Sequence, residues 1–229
     1  MNAHVITPTP KLSTSLEFYA KLGFTVIPAN GPTLVSDGQV LIAIDPDRTA
    51  RAGIKFFNAD HSRTLDALSG RSAVHGTTDG HFLSDPNGIR VVLCDREAPS
   101  VDLEGVVPGI TGNFAGLSIE TSEMDRSVDF WSALGYAITM GDASKGWVSL
   151  EADGRPGISL MKSMMCPHLF FNPSLTYFNG KEGNPKVIEA VRKEGIPITE
   201  EITHFNKDGL VDNIIIRDPG GLGFFLFND

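Results

Sequence analysis

Short apolar runs set off by Gly, Pro, Asn and Asp fill most of this chain, and only four stretches carry helical spacing instead. Residues 3–7 alternate around Val5, and Pro8 and Pro10, which cannot donate to a sheet ladder, end that strand. Thr14 and Glu17 have capping-box spacing. Leu12, Leu16, Tyr19 and Leu22 then recur at helical intervals as far as Gly23, a residue suited to a left-handed cap. Phe24–Ile27, Pro32–Ser36 and Gln39–Ile44 read as strands, with Asn30-Gly31 and Asp37-Gly38 as tight turns between them. The first unit is therefore βαβββ.

A second unit follows: strand Ile54–Asn58, helix Ser62–Leu68, and strands Ala73–Thr78, Gly80–Leu83 and Ile89–Cys94, with the turn Asp85-Pro86-Asn87-Gly88 before the last. Polar residues 95–112 read as a linker. The plan then recurs. Phe114–Glu120, the helix around Asp125–Leu134, Ala137–Gly141, Trp147–Glu151 and Gly157–Met161 make a third unit. Leu175–Asn179, a helix opening at Asn184-Pro185 and running to Gly195, Val211–Ile216, the turn Asp218-Pro219-Gly220-Gly221 and Phe224–Phe227 make a fourth.

The recurrence is literal between Ala3–Phe24 and Ala115–Tyr136, which align without a gap. Ala3/Ala115, Thr9/Thr121, Ser15/Ser127, Phe18/Phe130, Leu22/Leu134 and Gly23/Gly135 are identical, and Tyr19 matches Trp131. A repeat this long means two domains of one kind, each large enough to bury a core of its own. The predicted divisions are domain 1–98 with modules 1–45 and 52–95, linker 99–112, and domain 113–229 with modules 113–163 and 173–229.

Composition narrows the function. Of 229 residues, 41% are hydrophobic and 21% charged, so the chain should fold throughout. A net charge of −9 without a basic run disfavours nucleic acid and anionic membranes as partners. No apolar segment is long enough to span a bilayer and the N-terminus has no leader pattern, so a cytoplasmic protein, monomer or homodimer, is expected. Cys94 and Cys166 are expected to be reduced. No GxSxG, GxxxxGK or GxGxxG occurs, which leaves nucleophilic hydrolysis and nucleotide chemistry without support.

Phe18-Tyr19…Leu22-Gly23-Phe24, Phe130-Trp131…Leu134-Gly135-Tyr136 and the two turns Asp85-Pro86-Asn87-Gly88 and Asp218-Pro219-Gly220-Gly221, in that order, resemble the vicinal oxygen chelate superfamily. That group includes glyoxalase I, extradiol dioxygenases and bleomycin-resistance proteins. The resemblance implies an α+β fold of four βαβββ modules paired into two glyoxalase-like domains, each a cup of strands with helices outside. It also implies a divalent metal held by His or Glu from the first and last strands of each unit.

His4 stands at the first of those places, and its counterpart in the second half is Gly116. The others fall near Gly53 or Lys55, at Val92, at Ser174 or Thr176, and at Phe225. One imidazole cannot hold such an ion, so no cofactor is expected, with a divalent metal as the alternative. Alternation points His4, Ile6, Lys55, Phe57, Arg90 and Val92 into the first cup, as a cationic pocket for a small carboxylate or enolate. It points Gly116, Ser118, Glu120, Gly223, Phe225 and Phe227 into the second. Trp147 floors that cup, which suits a flat or apolar ligand, and Glu120 is available as a general base.

His61, His75, His81, His168 and His204 lack ligand spacing and read as surface or turn residues. Met161, Met164, Met165 and Cys166, followed by Leu169-Phe170-Phe171, read as an apolar loop over a cavity or partner. The expectation is a glyoxalase- or bleomycin-resistance-like protein that binds a small organic molecule without the full metal site. The alternative is a lyase, isomerase or dioxygenase-like enzyme of the same superfamily, working through a metal at His4 or through acid/base chemistry at Glu120.

Overall fold

The computed structural model describes residues 2–29 and 31–228; the predicted Asn30 turn position lies outside them. The first half runs β1 (Ala3–Pro8), α1 (Leu12–Lys21), β2 (Thr25–Ile27), β3 (Thr33–Ser36), β4 (Leu41–Asp45), β5 (Gly53–Asn58), α2 (Ser62–Leu68), β6 (His75–Thr77), β7 (Gly80–Ser84) and β8 (Arg90–Asp95). The second runs β9 (Phe114–Thr121), α3 (Met124–Ala133), β10 (Ala137–Asp142), β11 (Trp147–Glu151), β12 (Ile158–Lys162), β13 (Ser174–Phe178), α4 (Gly180–Lys193), β14 (Ile198–Ile202), β15 (Asn213–Arg217) and β16 (Gly223–Phe227). Each half forms one 8-stranded sheet, ordered β2-β3-β4-β1-β5-β8-β7-β6 and β10-β11-β12-β9-β13-β16-β15-β14. In each, two βαβββ modules meet through an antiparallel pair of first strands, β1 with β5 and β9 with β13.

The repeated Thr and Ser build the helix entries. Thr9 Oγ1 meets Ser15 Oγ at 2.6 Å and accepts the Lys11 N–H, and Thr121, Ser127 and Glu123 repeat the arrangement. This displaces the predicted capping box: α1 begins at Leu12, so Thr14 already lies inside its first turn. α4 opens at Gly180, earlier than predicted, with Pro185 inside it. Asn184 does not cap; its side-chain amide donates to the Asp212 and Leu226 carbonyls and ties the helix to the sheet. Strand β14 was not anticipated, because Ile198–Ile202 carries Thr199, Glu200 and Glu201 between its apolar ends, an edge-strand composition.

The expectation of two separate cores is corrected. One apolar cluster joins Val5, Tyr19, Ile54 and Phe56 to Trp131, Tyr136, Leu175 and Phe224. Phe18 of α1 packs edge-on against Phe224 of β16 (5.8 Å), and Phe56 of β5 meets Tyr136 (6.3 Å). The helix-bearing faces of the two sheets thus cover each other. The Asp-Pro turns cross the same boundary: Asp218 accepts from Thr7 and Tyr19, while Asn87, bonded to Asp85, donates to Ser127. Both cup faces are left pointing away from this shared core.

Candidate functional site

Register decides what each cup contains. Ala3 and Val5 point into the shared core, so His4 and Ile6 point into the first cup. His4 pairs with Lys55 across β1 and β5, and Lys55 pairs with Val92 across β5 and β8. In the second half Gly116 pairs with Thr176 and Thr176 with Phe225. The rows where the resemblance places ligands are therefore His4–Lys55–Val92 and Gly116–Thr176–Phe225. Neither fits a divalent cation. The first sets an ammonium beside the imidazole, and the second offers one hydroxyl. A side chain cannot be restored at Gly116 either, since its φ is +140° and an added Cβ would lie 2.5 Å from the Gly157 carbonyl oxygen. Among the described residues no group of three His, Cys, Asp or Glu side chains comes together as a metal site.

The first cup is closed. His4, Lys55 and Phe57 line one recess, with the His4 ring 4.7 Å from Phe57. Arg90 shares their face but stands at its far end, 4.6 Å over the Phe82 ring, and Arg96 takes its place in the recess. The linker roofs the rest. Val101, Leu103 and Val106 pack on Ile27, Leu34, Leu41 and Ala43, leaving a free volume of about 10 Å³ lined by His4, Lys55, Phe57, Arg96 and Pro99. That is room for about one water molecule. Burial, then the Lys55 charge, lowers His4 from 6.5 to about 4, so its imidazole is neutral at pH 7.

The second cup differs at equivalent places. In the first half the row Ile6–Ala43–Leu34–Ile27 is apolar and buried beneath the linker. Its counterpart is Ser118–Ser159–Ser149–Met140. Ser149 and Ser159 are half-buried rather than roofed, and Met140 is exposed. Ser118 Oγ meets Thr176 Oγ1 at 2.6 Å, and Trp147 Nε1 donates to Ser159 Oγ at 2.9 Å, which holds the indole over the row.

Glu120 sits at the rim, paired with Met161 across β9 and β12. Its Oε1 accepts the Met164 N–H (3.0 Å), and its backbone is clamped at both N–H and C=O by the Asn172 amide. The 163–173 loop so anchored lays Phe170 and Phe171 on Phe225, Ile202 and Ile215, covering the other half of the cup as the apolar sequence suggested. His168 joins that cover, 5.4 Å from Phe225. Burial, then the Glu120 charge, pushes the Cys166 thiol up to about 11, so it is no nucleophile at neutral pH.

Two readings are corrected. His61 is buried, with Nε2 3.1 Å from the Cys94 carbonyl oxygen, because α2 packs its start against β8. Phe225 lies under Phe170 and Phe171, which withdraws it from ligand contact. The serine row escaped sequence reasoning, since Ser149 and Ser159 look like ordinary strand serines until register places them beside Ser118. The signal available was the contrast with Leu34 and Ala43 in the repeat.

Two tandem pairs of βαβββ modules, each folded into one 8-stranded cup, define the class: the chain has the fold of the vicinal oxygen chelate superfamily in its two-domain form. No family model and no curated protein matches it. Among solved structures it is similar to a catechol 2,3-dioxygenase, at 14% identity over 97% of this chain and 85% of that one, with a TM-score of 0.60. It is also similar to a variant 4-hydroxymandelate synthase from Streptomyces coelicolor, at 12% identity over 97% and 90%, TM-score 0.60. A variant homoprotocatechuate 2,3-dioxygenase from Brevibacterium fuscum matches at 12% over 99% and 70%, TM-score 0.59. At these identities the likeness is one of fold.

Proposed function

We infer that the second half is the working half, a site where a small, flat, hydroxylated organic molecule lies on the serine row beside Trp147 with a hydroxyl toward Glu120. The carrying observation is the exchange of a sealed apolar row for a row of serines at the same places in a repeated fold, with Ser118 buried and Ser149 and Ser159 half-buried. Packing alone would keep those positions apolar, whereas Ser118, Ser149 and Ser159 supply donors and acceptors for hydroxyl groups and the indole supplies a stacking face. The neighbours named for catechol and homoprotocatechuate support a phenolic ligand.

Within this reading Glu120 is the general base. Its carboxylate is fixed by the Met164 N–H, and a bound phenol or an acidic C–H at the rim can pass it a proton, which is the first step of lyase or isomerase chemistry. Neither ligand row fits a divalent metal, so the proton transfer falls to Glu120 itself. The test is a titration with catechol followed by tryptophan fluorescence, with Trp131 buried in the core as a constant background. Saturable quenching is expected in the native protein and its loss in Ser149→Leu/Ser159→Ala, which restores the first half's residues. Equal quenching in both proteins would reject the reading.

A further inference from the structure

His4 carries an unpaired ring nitrogen, a donor in the tautomer that protonates Nε2. It is 2% exposed, and its Nε2 has no hydrogen-bond partner although it lines the recess under the linker. A buried polar atom left unpaired is unfavourable, so an occupant that pairs with it would be favoured. The other polar groups lining the recess are Lys55 and Arg96. No ion pair or side-chain hydrogen bond engages either cation among the described residues. The neighbouring carboxylate, Asp95, is turned to the opposite face, where His81 Nδ1 lies 3.8 Å from it. The walls are the Phe57 ring and the apolar Ala29, Leu34, Ala43 and Pro99.

We propose that this recess is a binding site for a single monoatomic anion of the halide class, held between His4 Nε2–H, the Lys55 ammonium and the Arg96 guanidinium. Three donors without an acceptor select negative charge. The free volume of about 10 Å³ favours a monoatomic ion over sulfate, phosphate or a carboxylate. Two of the three donors come from β1 and β5, and the exposed Arg96 directly follows β8 on the way into the linker, so the ion ties the sheet to the chain that roofs the first cup. This accounts for cationic side chains in a half whose cup has no room for an organic ligand, and it stands apart from the reading of the second cup.

The test follows the His4 imidazole by NMR through a pH titration in sodium chloride and in sodium gluconate at equal ionic strength. In gluconate the midpoint should lie near 4. Chloride should raise it by about one unit, since an adjacent anion favours the imidazolium. Sodium sulfate should leave it at the gluconate value. Lys55→Met should abolish the chloride effect, whereas Arg90→Met, on the same face but outside the recess, should preserve it. Coincident midpoints in chloride and gluconate, or an equal response to sulfate, would overturn the proposal even if the Lys55 variant failed to fold.

Discussion

The Tyr19 hydroxyl donates to Asp218 Oδ2 at 2.9 Å, joining the first helix of the chain to a turn 199 residues away. Asp218 also accepts from Thr7 (2.7 Å) and from the Leu222 N–H (2.8 Å), all inside the shared core. Tyr19→Phe should therefore lower stability by about 1–3 kcal/mol, the cost of removing one donor from a buried acceptor. Urea unfolding measures it, and a single transition is expected because both halves share one core. Tyr177 donates to Asp37 at 3.2 Å, a longer contact of the same kind, and Tyr177→Phe should cost less.

pH separates the buried groups by sign. Burial raises Asp218 above 3.8, so the native state holds its proton more tightly than the unfolded chain; its contribution is greatest below 3.8 and declines as pH rises through the raised value. His4 runs the other way. Lowered from 6.5 to about 4, it adds stability that is full above 6.5 and is lost as pH falls toward 4, worth at most about 3 kcal/mol at about 1.4 per pH unit. In gluconate buffer, His4→Gln should flatten the stability profile between those two pH values. An unchanged slope there would show that His4 is not the group responsible.

Most of the architecture was legible because strand lengths, Asp-Gly turns and helix-ending glycines are local signals, and the Ala3–Phe24 repeat fixed the module order. The shared core was not. Nothing in the Phe18 or Phe130 periods says whether a helix covers its own sheet or its neighbour's. The cups were legible by face but not by cover: alternation and register put His4, Lys55 and Ser118 on the same faces, yet the linker's filling of the first cup depends on Val101 and Leu103 finding Leu34 and Ala43 far earlier in the chain.

That cover makes a prediction of its own. Leu103→Asp should unseat the linker from Ile27, Leu34, Leu41 and Ala43 and cost about 1–2 kcal/mol, the scale for a half-buried leucine. Hydrogen exchange should rise at β3 and β4 and stay unchanged in the second sheet. Uniform acceleration across both sheets would mean that the linker does more than roof one cup.

The ligand rows predict weak metal binding. Protein purified without chelator or affinity tag should carry well under one equivalent of Fe, Zn, Ni or Mn, and added Fe²⁺ should not raise its melting temperature. One equivalent per chain, lost in His4→Ala, would establish the metal-dependent alternative.

A crystal soaked with 4-bromocatechol tests the central claim most directly, because bromine's anomalous scattering locates the ring without presuming its orientation. The account predicts one peak in the second cup, beside Trp147 and over Ser118, Ser149 and Ser159, that vanishes in Ser149→Leu/Ser159→Ala. A peak beneath the linker, or one that persists in that variant, would contradict it.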